Sequence, residues 1–194
     1  FTHITVAVNH LANLIMAFFG DGDKWGVKID YSIEEKPLST IGPLTLIDDL
    51  PDNFLVMNGD ILTDLVFSAL MQTHIEKEFD LTVASYIRKQ KIDFGVLETD
   101  ENNFVVGFRE KPEYTFKVSM GVYILNRSII EHLEPGLEYG FDNLMLDGIE
   151  KNLNIHSHTF DGYWLDIGRP DDYIQANEDY PKLIRKYEEK PKAV

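Results

Sequence analysis

Charged side chains in this sequence stand directly after runs of apolar residues at three places. Asp60 follows four apolar residues and an Asn-Gly pair, and Asp166 follows a second apolar run. Glu110 and Lys111 follow a third apolar run. Ligands in open α/β sheets bind beyond the carboxyl ends of the strands, so these side chains can converge on one rim of a sheet.

Asp60 and Asp166 predict a bound divalent cation, because two carboxylates that share a site repel each other unless a cation lies between them. Mg²⁺ commonly uses one or two carboxylates, together with substrate phosphates and water. Lys111 can meet a phosphate as a point charge. The set predicts phosphoryl or nucleotidyl transfer, chemistry that depends on positioning and charge neutralisation more than on a protein nucleophile.

The first half of the sequence alternates predicted strands and helices. Residues 4–8 are apolar and β-branched, and residues 11–19 carry apolar side chains at helical spacing. The alternation continues with predicted strands at 27–31 and 54–57, a helix at 67–78 and another strand at 81–86. This order predicts an α/β, three-layer, mostly parallel doubly wound sheet of Rossmann-like type. We expect the strand at 54–57 to be buried on both faces. One apolar face of the helix at 67–78 is expected to hold Phe67, Leu70, Met71 and Ile75.

The second half adds a predicted β-hairpin to this sheet. Residues 94–99 and 104–110 are joined by a polar turn, which is typical of a hairpin. Further strands are predicted at 118–125 and 155–160, and helices at 127–133 (capped by Asn126), 141–151 and 171–186. We expect one domain at 1–187, followed by a charged tail at 188–194.

Several of these residues also have ordinary structural interpretations. Asp60 is equally compatible with a strand exit in which it caps the next segment. The Thr40 hydroxyl and the Gly42 amide could hold a base or phosphate edge, but composition alone favours a surface loop. For His156 and His158, a solvent-facing strand is favoured over a metal pair, because neither a carboxylate nor a cysteine nearby completes such a site.

Composition narrows the classes of function. The net charge is −15, which disfavours a nucleic acid partner, and the 194 residues contain no cysteine. The sequence shows neither a signal peptide nor an apolar run long enough for a membrane helix. These features predict a cytoplasmic globular protein with neither a nucleic acid nor a membrane partner.

Six short motifs, in order, resemble those of the sugar-1-phosphate nucleotidyltransferases, also called nucleotide-sugar pyrophosphorylases. Each motif is weak alone, and the order and spacing of the set are fairly specific. They are the segment 37–44, Asn-Gly-Asp at 58–60, Phe-Gly-Val at 94–96, Glu-Lys-Pro at 110–112, Met-Gly-Val-Tyr at 120–123 and Trp-Leu-Asp-Ile-Gly at 164–168.

The resemblance implies a nucleotide-diphospho-sugar transferase fold and the Mg²⁺-dependent reaction of an NTP with a sugar 1-phosphate to give an NDP-sugar and pyrophosphate. Asp60 and Asp166 would bind the metal, and Lys111 the sugar phosphate. The sequence leaves the oligomeric state open, and a homo-oligomer is one alternative. The resemblance further implies a nucleotide site with Thr40, Gly42, Asn58 and Gly59, and a sugar-phosphate pocket with Gly95, Glu110, Lys111 and Gly121.

Two departures from the family pattern affect these expectations. Ser39 stands where the family usually has glycine, and serine resists a positive φ. The Gly-rich loop that grips the triphosphate is also missing, so we expect an N-terminally truncated domain and little or no activity from these residues alone. A non-catalytic nucleotide-sugar-binding or regulatory subunit remains an alternative, as does a cytidylyltransferase acting on an alditol phosphate or a cofactor.

Overall fold

A computed structural model describes residues 1–188. The predicted charged tail lies outside the described residues except for its first residue. The chain divides into two compact units. The first contains Phe1–Phe54, Lys77–Leu81 and Leu125–Ile155, and the second contains Leu55–Glu76, Thr82–Ile124 and the chain from His156 onward. The single domain stays a prediction.

Ten strands and four α-helices make up the described secondary structure. In chain order they are β1 (His3–Val8), α1 (Ala12–Phe19), β2 (Lys28–Ile33), β3 (Asn53–Met57), β4 (Ile61–Thr63), α2 (Phe67–Glu76), β5 (Leu81–Lys91), β6 (Val96–Thr99), β7 (Val105–Arg109), β8 (Glu113–Asn126), α3 (Phe141–Glu150), β9 (Ile155–Phe160), β10 (Trp164–Asp166) and α4 (Pro170–Glu188). Short 3₁₀ helices lie at Asp23–Trp25, Gly42–Leu46 and Arg127–Ile129.

The first unit begins with the predicted strand–helix–strand motif. β1 and β2 pair in parallel, from His3 opposite Lys28 to Val8 opposite Ile33, and α1 connects them. Parallel neighbours require such a crossover connection. This part of the α/β prediction is confirmed.

The second unit contains most of a four-stranded sheet of order β3-β8-β5-β9. Its apolar core is formed largely by β8, whose residues Met120, Val122 and Ile124 are fully buried. Leu65, Leu70 of α2 and Ala84 of β5 belong to the same cluster. The alternate apolar positions of β8 therefore face the core, as strand geometry requires.

The predicted hairpin is present as an antiparallel pair of β6 and β7. The register runs from Val96 opposite Arg109 to Thr99 opposite Val105, with an irregularity near Glu98. The Asp100 side chain accepts hydrogen bonds from the amides of Asn102 and Phe104, at 2.9 Å each. An aspartate that bonds its own turn in this way explains why the polar stretch reverses the chain.

Three expectations about individual elements need correction. β3 is not buried on both faces, since Met57 is 41% exposed and Leu55 and Val56 are only half-buried. Ile75 is 52% exposed. His74 of α2 is buried instead, and its Nδ1 forms a 2.8 Å hydrogen bond with the Thr82 hydroxyl. The helix expected at 127–133 is only a 3₁₀ turn, although the Asn126 side chain caps it as predicted.

Candidate active site

The antiparallel pair of β4 and β10 brings the two predicted metal ligands to adjacent strands. Asp166, the last residue of β10, stands opposite Ile61, the residue that follows Asp60. The amide of Ile167 donates a 2.8 Å hydrogen bond to the carbonyl oxygen of Asp60. The backbones of Asp60 and Asp166 are therefore neighbours at one end of this ladder, and a metal site shared by their side chains stays a prediction.

Trp164 fixes β10 to the core of the second unit. Its indole Nε1 donates to the carbonyl oxygen of Met120 at 3.0 Å, and its ring lies 5.3 Å from the ring of Tyr86. A half-buried indole that finds an acceptor combines apolar contact with a fixed orientation. The strand that ends at Asp166 is consequently held in place by a residue two positions before it.

Tyr163 anchors the other end of β10. Its amide donates to the Asp64 carboxylate at 2.7 Å, and its carbonyl oxygen accepts from the Asp64 amide at 3.1 Å. The Tyr163 hydroxyl donates to Asp179 of α4 at 3.0 Å. Burial, with the hydrogen bond to Asp179, raises the pKa of Tyr163 to about 12, so the hydroxyl remains a donor at neutral pH.

The carboxylates of Asp60 and Asp166 are both exposed, in contrast to the anchored strand behind them. The described part of the chain holds no group of three or more His, Cys, Asp or Glu side chains suited to a metal ion. Two carboxylates alone fit Mg²⁺, which takes one or two from the protein and fills its shell with phosphate oxygens and water. The donor set therefore suits an ion that binds together with a phosphorylated substrate.

A second pair of predicted site residues, Asn58 and Gly121, is also in direct contact. The Asn58 amide donates to the Gly121 carbonyl oxygen at 2.9 Å. Gly121 is buried with a φ of 72°, and a Cβ built on it would lie 2.8 Å from the Asn58 side-chain nitrogen. Only glycine satisfies both the positive φ and this close approach. Gly59 follows Asn58 and is exposed.

Gly95 and Glu110 form a third pair, at the base of the hairpin. A Cβ on Gly95 would lie 2.6 Å from the ring of Phe108 and 3.3 Å from the Glu110 carboxylate. Lys111 is exposed and has a φ of 43°, an uncommon conformation for a residue with a side chain. The described contacts join Lys111 to neither carboxylate of the metal pair, so its convergence with them stays a prediction.

Thr40 and Gly42 belong to the first unit, in a loop that begins with a residue of positive φ. Ser39 adopts a φ of 65°, so serine has entered the left-handed region that it ordinarily resists. Thr40 is exposed, whereas Gly42 is buried. The expectation of an exposed Gly42 amide was wrong, because this amide donates to the Tyr139 carbonyl oxygen at 2.9 Å.

Sequence reasoning missed β4 and the anchors of β10. The available signal was the short apolar run Ile61-Leu62-Thr63 directly after Asp60, which is too brief to show a strand period. The Thr63 hydroxyl donates to the Tyr163 carbonyl oxygen at 2.8 Å, which ties β4 to the start of β10.

No helix among residues 1–188 is long and apolar enough to cross a membrane.

These features define an α/β protein of the Rossmann-like nucleotide-diphospho-sugar transferase class, with a carboxylate pair at the ends of adjoining strands. Comparison with known proteins gives the family. The profile described as Nucleotidyl transferase matches residues 1–183, so the chain belongs to this family. The resemblance to sugar-1-phosphate nucleotidyltransferases is thereby confirmed.

Individual relatives agree with this assignment. The chain is 32% identical over 196 residues to a UTP–glucose-1-phosphate uridylyltransferase of Synechocystis sp., covering 91% of this chain and 50% of the relative. It is 30% identical over 191 residues to a mannose-1-phosphate guanylyltransferase of Mycobacterium tuberculosis, covering 94% of this chain and 52% of that relative. The crystal structure of HddC from Yersinia pseudotuberculosis matches with a TM-score of 0.70 and 25% identity, and the match covers 92% of this chain and 79% of HddC. The chain spans about half the length of these two curated relatives.

Proposed function

We propose that the protein containing this chain transfers a nucleotidyl group from an NTP to a sugar 1-phosphate. A phosphate oxygen of the sugar 1-phosphate attacks the α-phosphorus of the NTP in line. The bond from the α-phosphorus to the oxygen that bridges it to the β-phosphorus breaks, and pyrophosphate leaves. The observation that carries this proposal is the β4–β10 ladder, which makes Asp60 and Asp166 neighbours.

Asp60, in the turn before β4, and Asp166, at the end of β10, are the residues that would hold Mg²⁺ through their carboxylate oxygens. When bound, the ion supplies positive charge to the phosphates of the nucleotide. The Trp164 indole and the Tyr163 contacts keep β10 from shifting as charge accumulates beside Asp166. The main contribution of these residues is positioning, which this type of reaction requires most.

The remaining residues bind and orient the two substrates. Lys111 would place its ammonium group on the sugar phosphate, and Glu110 would accept hydrogen bonds from sugar hydroxyls. The proximity of Gly95 to Glu110 supports one pocket for these groups, which Gly121 would also line. Thr40 would contact the base and ribose of the nucleotide. Asn58 and Gly59 would be further nucleotide-binding residues.

The choice of substrates is part of the proposal. The relatives are named for UTP with glucose 1-phosphate and for guanylyl transfer to mannose 1-phosphate, so these pairs are the first candidates. We place the reaction in the cytoplasm, in keeping with the absence of cysteine from the sequence.

The test measures pyrophosphate release by the full-length protein. The protein is incubated with Mg²⁺, a panel of NTPs and a panel of sugar 1-phosphates, with alditol phosphates in a parallel panel. We expect release with at least one NTP and sugar 1-phosphate pair. Binding of a nucleotide-sugar without release from any pair favours the non-catalytic subunit, and release only with alditol phosphates changes the acceptor class.

A further inference from the structure

The loop of residues 39–42 rests on a second stretch of chain, residues 136–140, which we call the backing segment. The Tyr139 amide donates to the Leu38 carbonyl oxygen at 3.0 Å. In return, the amides of Ile41 and Gly42 donate to the Tyr139 carbonyl oxygen at 3.0 and 2.9 Å. Two backbone hydrogen bonds therefore tie the loop to Tyr139, and a third ties the preceding residue, Leu38, to it.

Packing around Gly42 makes the position of the loop depend on the backing segment. A side chain on Gly42 would collide with the Leu137 carbonyl oxygen, so the loop and the backing segment are tightly packed there. Thr45 adds a further tie, since its hydroxyl donates to the Gly42 carbonyl oxygen at 2.7 Å and accepts from the Gly136 amide at 3.2 Å. A movement of the backing segment must consequently move the loop.

The Tyr139 side chain connects the backing segment to α3. Its hydroxyl donates to the Asp147 carboxylate at 2.6 Å, a short charge-assisted hydrogen bond. Burial and the Asp147 carboxylate raise the pKa of Tyr139 above the ordinary tyrosine range. The hydroxyl is therefore a permanent donor at neutral pH, and the connection does not depend on a change of protonation near pH 7.

We propose that Tyr139 and Asp147 act as a positioning pair that holds loop 39–42 in the conformation that binds the nucleotide. This role rests on the proposed function. Neither residue is required to touch the substrate. The apparent affinity for a ligand falls in proportion to the fraction of protein in the competent conformation. Loss of the connection therefore weakens nucleotide binding and leaves the chemical step of the bound complex unchanged.

The first test is Tyr139→Phe in the full-length protein, with pyrophosphate release as the assay. We expect the KM for the NTP to rise by about fivefold, the order of one hydrogen bond, with kcat and the KM for the sugar 1-phosphate unchanged. The matched control is Tyr31→Phe, which removes a 2.7 Å hydrogen bond to the Gly20 carbonyl oxygen in the same unit. Equal effects of the two substitutions on the NTP KM, or an unchanged NTP KM in Tyr139→Phe, overturn the proposal.

Variants of Asp147 test the pair from its other side. Asp147→Asn keeps an oxygen that accepts from the Tyr139 hydroxyl, so its NTP KM should stay within about twofold of wild type. Asp147→Ala removes the acceptor and should match Tyr139→Phe, and the double variant should be no worse than either single one. Additive effects in the double variant contradict a shared connection.

Hydrogen exchange separates failure of this inference from failure of the proposed function. The amides of Ile41 and Gly42 should exchange about fivefold faster in Tyr139→Phe, and at the wild-type rate in Tyr31→Phe. This measurement needs no substrate, so unchanged exchange overturns the connection even if the protein proves inactive. Faster exchange of these amides in Tyr139→Phe, together with a wild-type protein that neither binds nor converts nucleotides, rejects the proposed function but keeps the mechanical connection.

Discussion

The Ile167 amide donates a hydrogen bond to the Asp60 carbonyl oxygen, with 2.8 Å between the nitrogen and the oxygen. This bond continues the β4–β10 ladder by one residue beyond the pair of Asp166 and Ile61. It places the backbones of Asp60 and Asp166, which come from distant parts of the sequence, next to each other, so the spacing of their Cα atoms depends on backbone pairing. The rigidity of that pairing underlies the proposed metal site.

Ser39→Gly should stabilise the protein. Ser39 holds a φ of 65°, which costs a residue with a Cβ about 1 kcal/mol more than it costs glycine. Glycine also raises the entropy of the unfolded chain, which offsets part of this gain. We therefore expect the free energy of unfolding to rise by about 0.5 kcal/mol, measured by urea denaturation.

Thr40→Gly is the control for this substitution, because Thr40 is not among the residues with a positive φ. Glycine there only increases the entropy of the unfolded chain, so that variant should lose stability. A gain of stability in Thr40→Gly, or no gain in Ser39→Gly, contradicts the assignment of strain to residue 39.

Gly121→Ala should destabilise the protein and disturb Asn58. The new methyl group would lie 2.8 Å from the Asn58 side-chain nitrogen, and the φ of 72° adds a further cost. We expect a loss of about 3 kcal/mol in the free energy of unfolding. Gly26→Ala is the matched control, since its φ is 71° with no atom within 4 Å, and it should lose only about 1 kcal/mol. Equal losses in the two variants contradict the close approach of Asn58.

His158 predicts a fall in stability as the solution is acidified. Burial, and secondarily the charge of His156, holds the pKa of His158 below its ordinary value of 6.5. The unfolded chain takes up the proton more readily, so the free energy of unfolding decreases as pH falls through 6.5 towards the lower folded-state value. Urea denaturation between about pH 7.5 and pH 5 should show a shallower decrease in His158→Gln than in wild type. An unchanged decrease in that variant rules out His158 as the source.

Local features of the fold were predictable from the sequence because their causes lie within a few residues. The parallel pair of β1 and β2 follows from apolar runs around a helix, and the hairpin from the Asp100 turn. The Asn126 cap was equally visible, since its side chain bonds the Ser128 amide two residues later. The sequence could not show that the turn after Asn126 ends at Ile129, because that depends on packing.

Long-range features were harder to predict. The hydrogen bond from Thr63 to Tyr163 joins residues 100 positions apart, and three-residue strands such as β4 have no detectable period. The sequence could suggest a pair of Asp60 and Asp166 because both follow apolar runs, but it could not show the ladder that joins their backbones, and their shared metal site stays a prediction. The Gly42 amide was misjudged since its acceptor, Tyr139, lies far away in sequence. His74 was missed because a histidine on an apolar helix face gives no sign of its Thr82 partner.

The carboxylate pair can be tested directly by Asp166→Asn in the full-length protein, measured as Mg²⁺-dependent pyrophosphate release from an NTP and a sugar 1-phosphate. Asp166 is exposed, so the substitution should leave the free energy of unfolding within about 0.5 kcal/mol of wild type. Turnover should fall by at least about 100-fold, because one of the two metal ligands is lost. Asp161→Asn, an exposed aspartate on the turn before β10, should keep wild-type turnover. Near-normal Mg²⁺-dependent release by Asp166→Asn would contradict the metal assignment and the account of the site built on it.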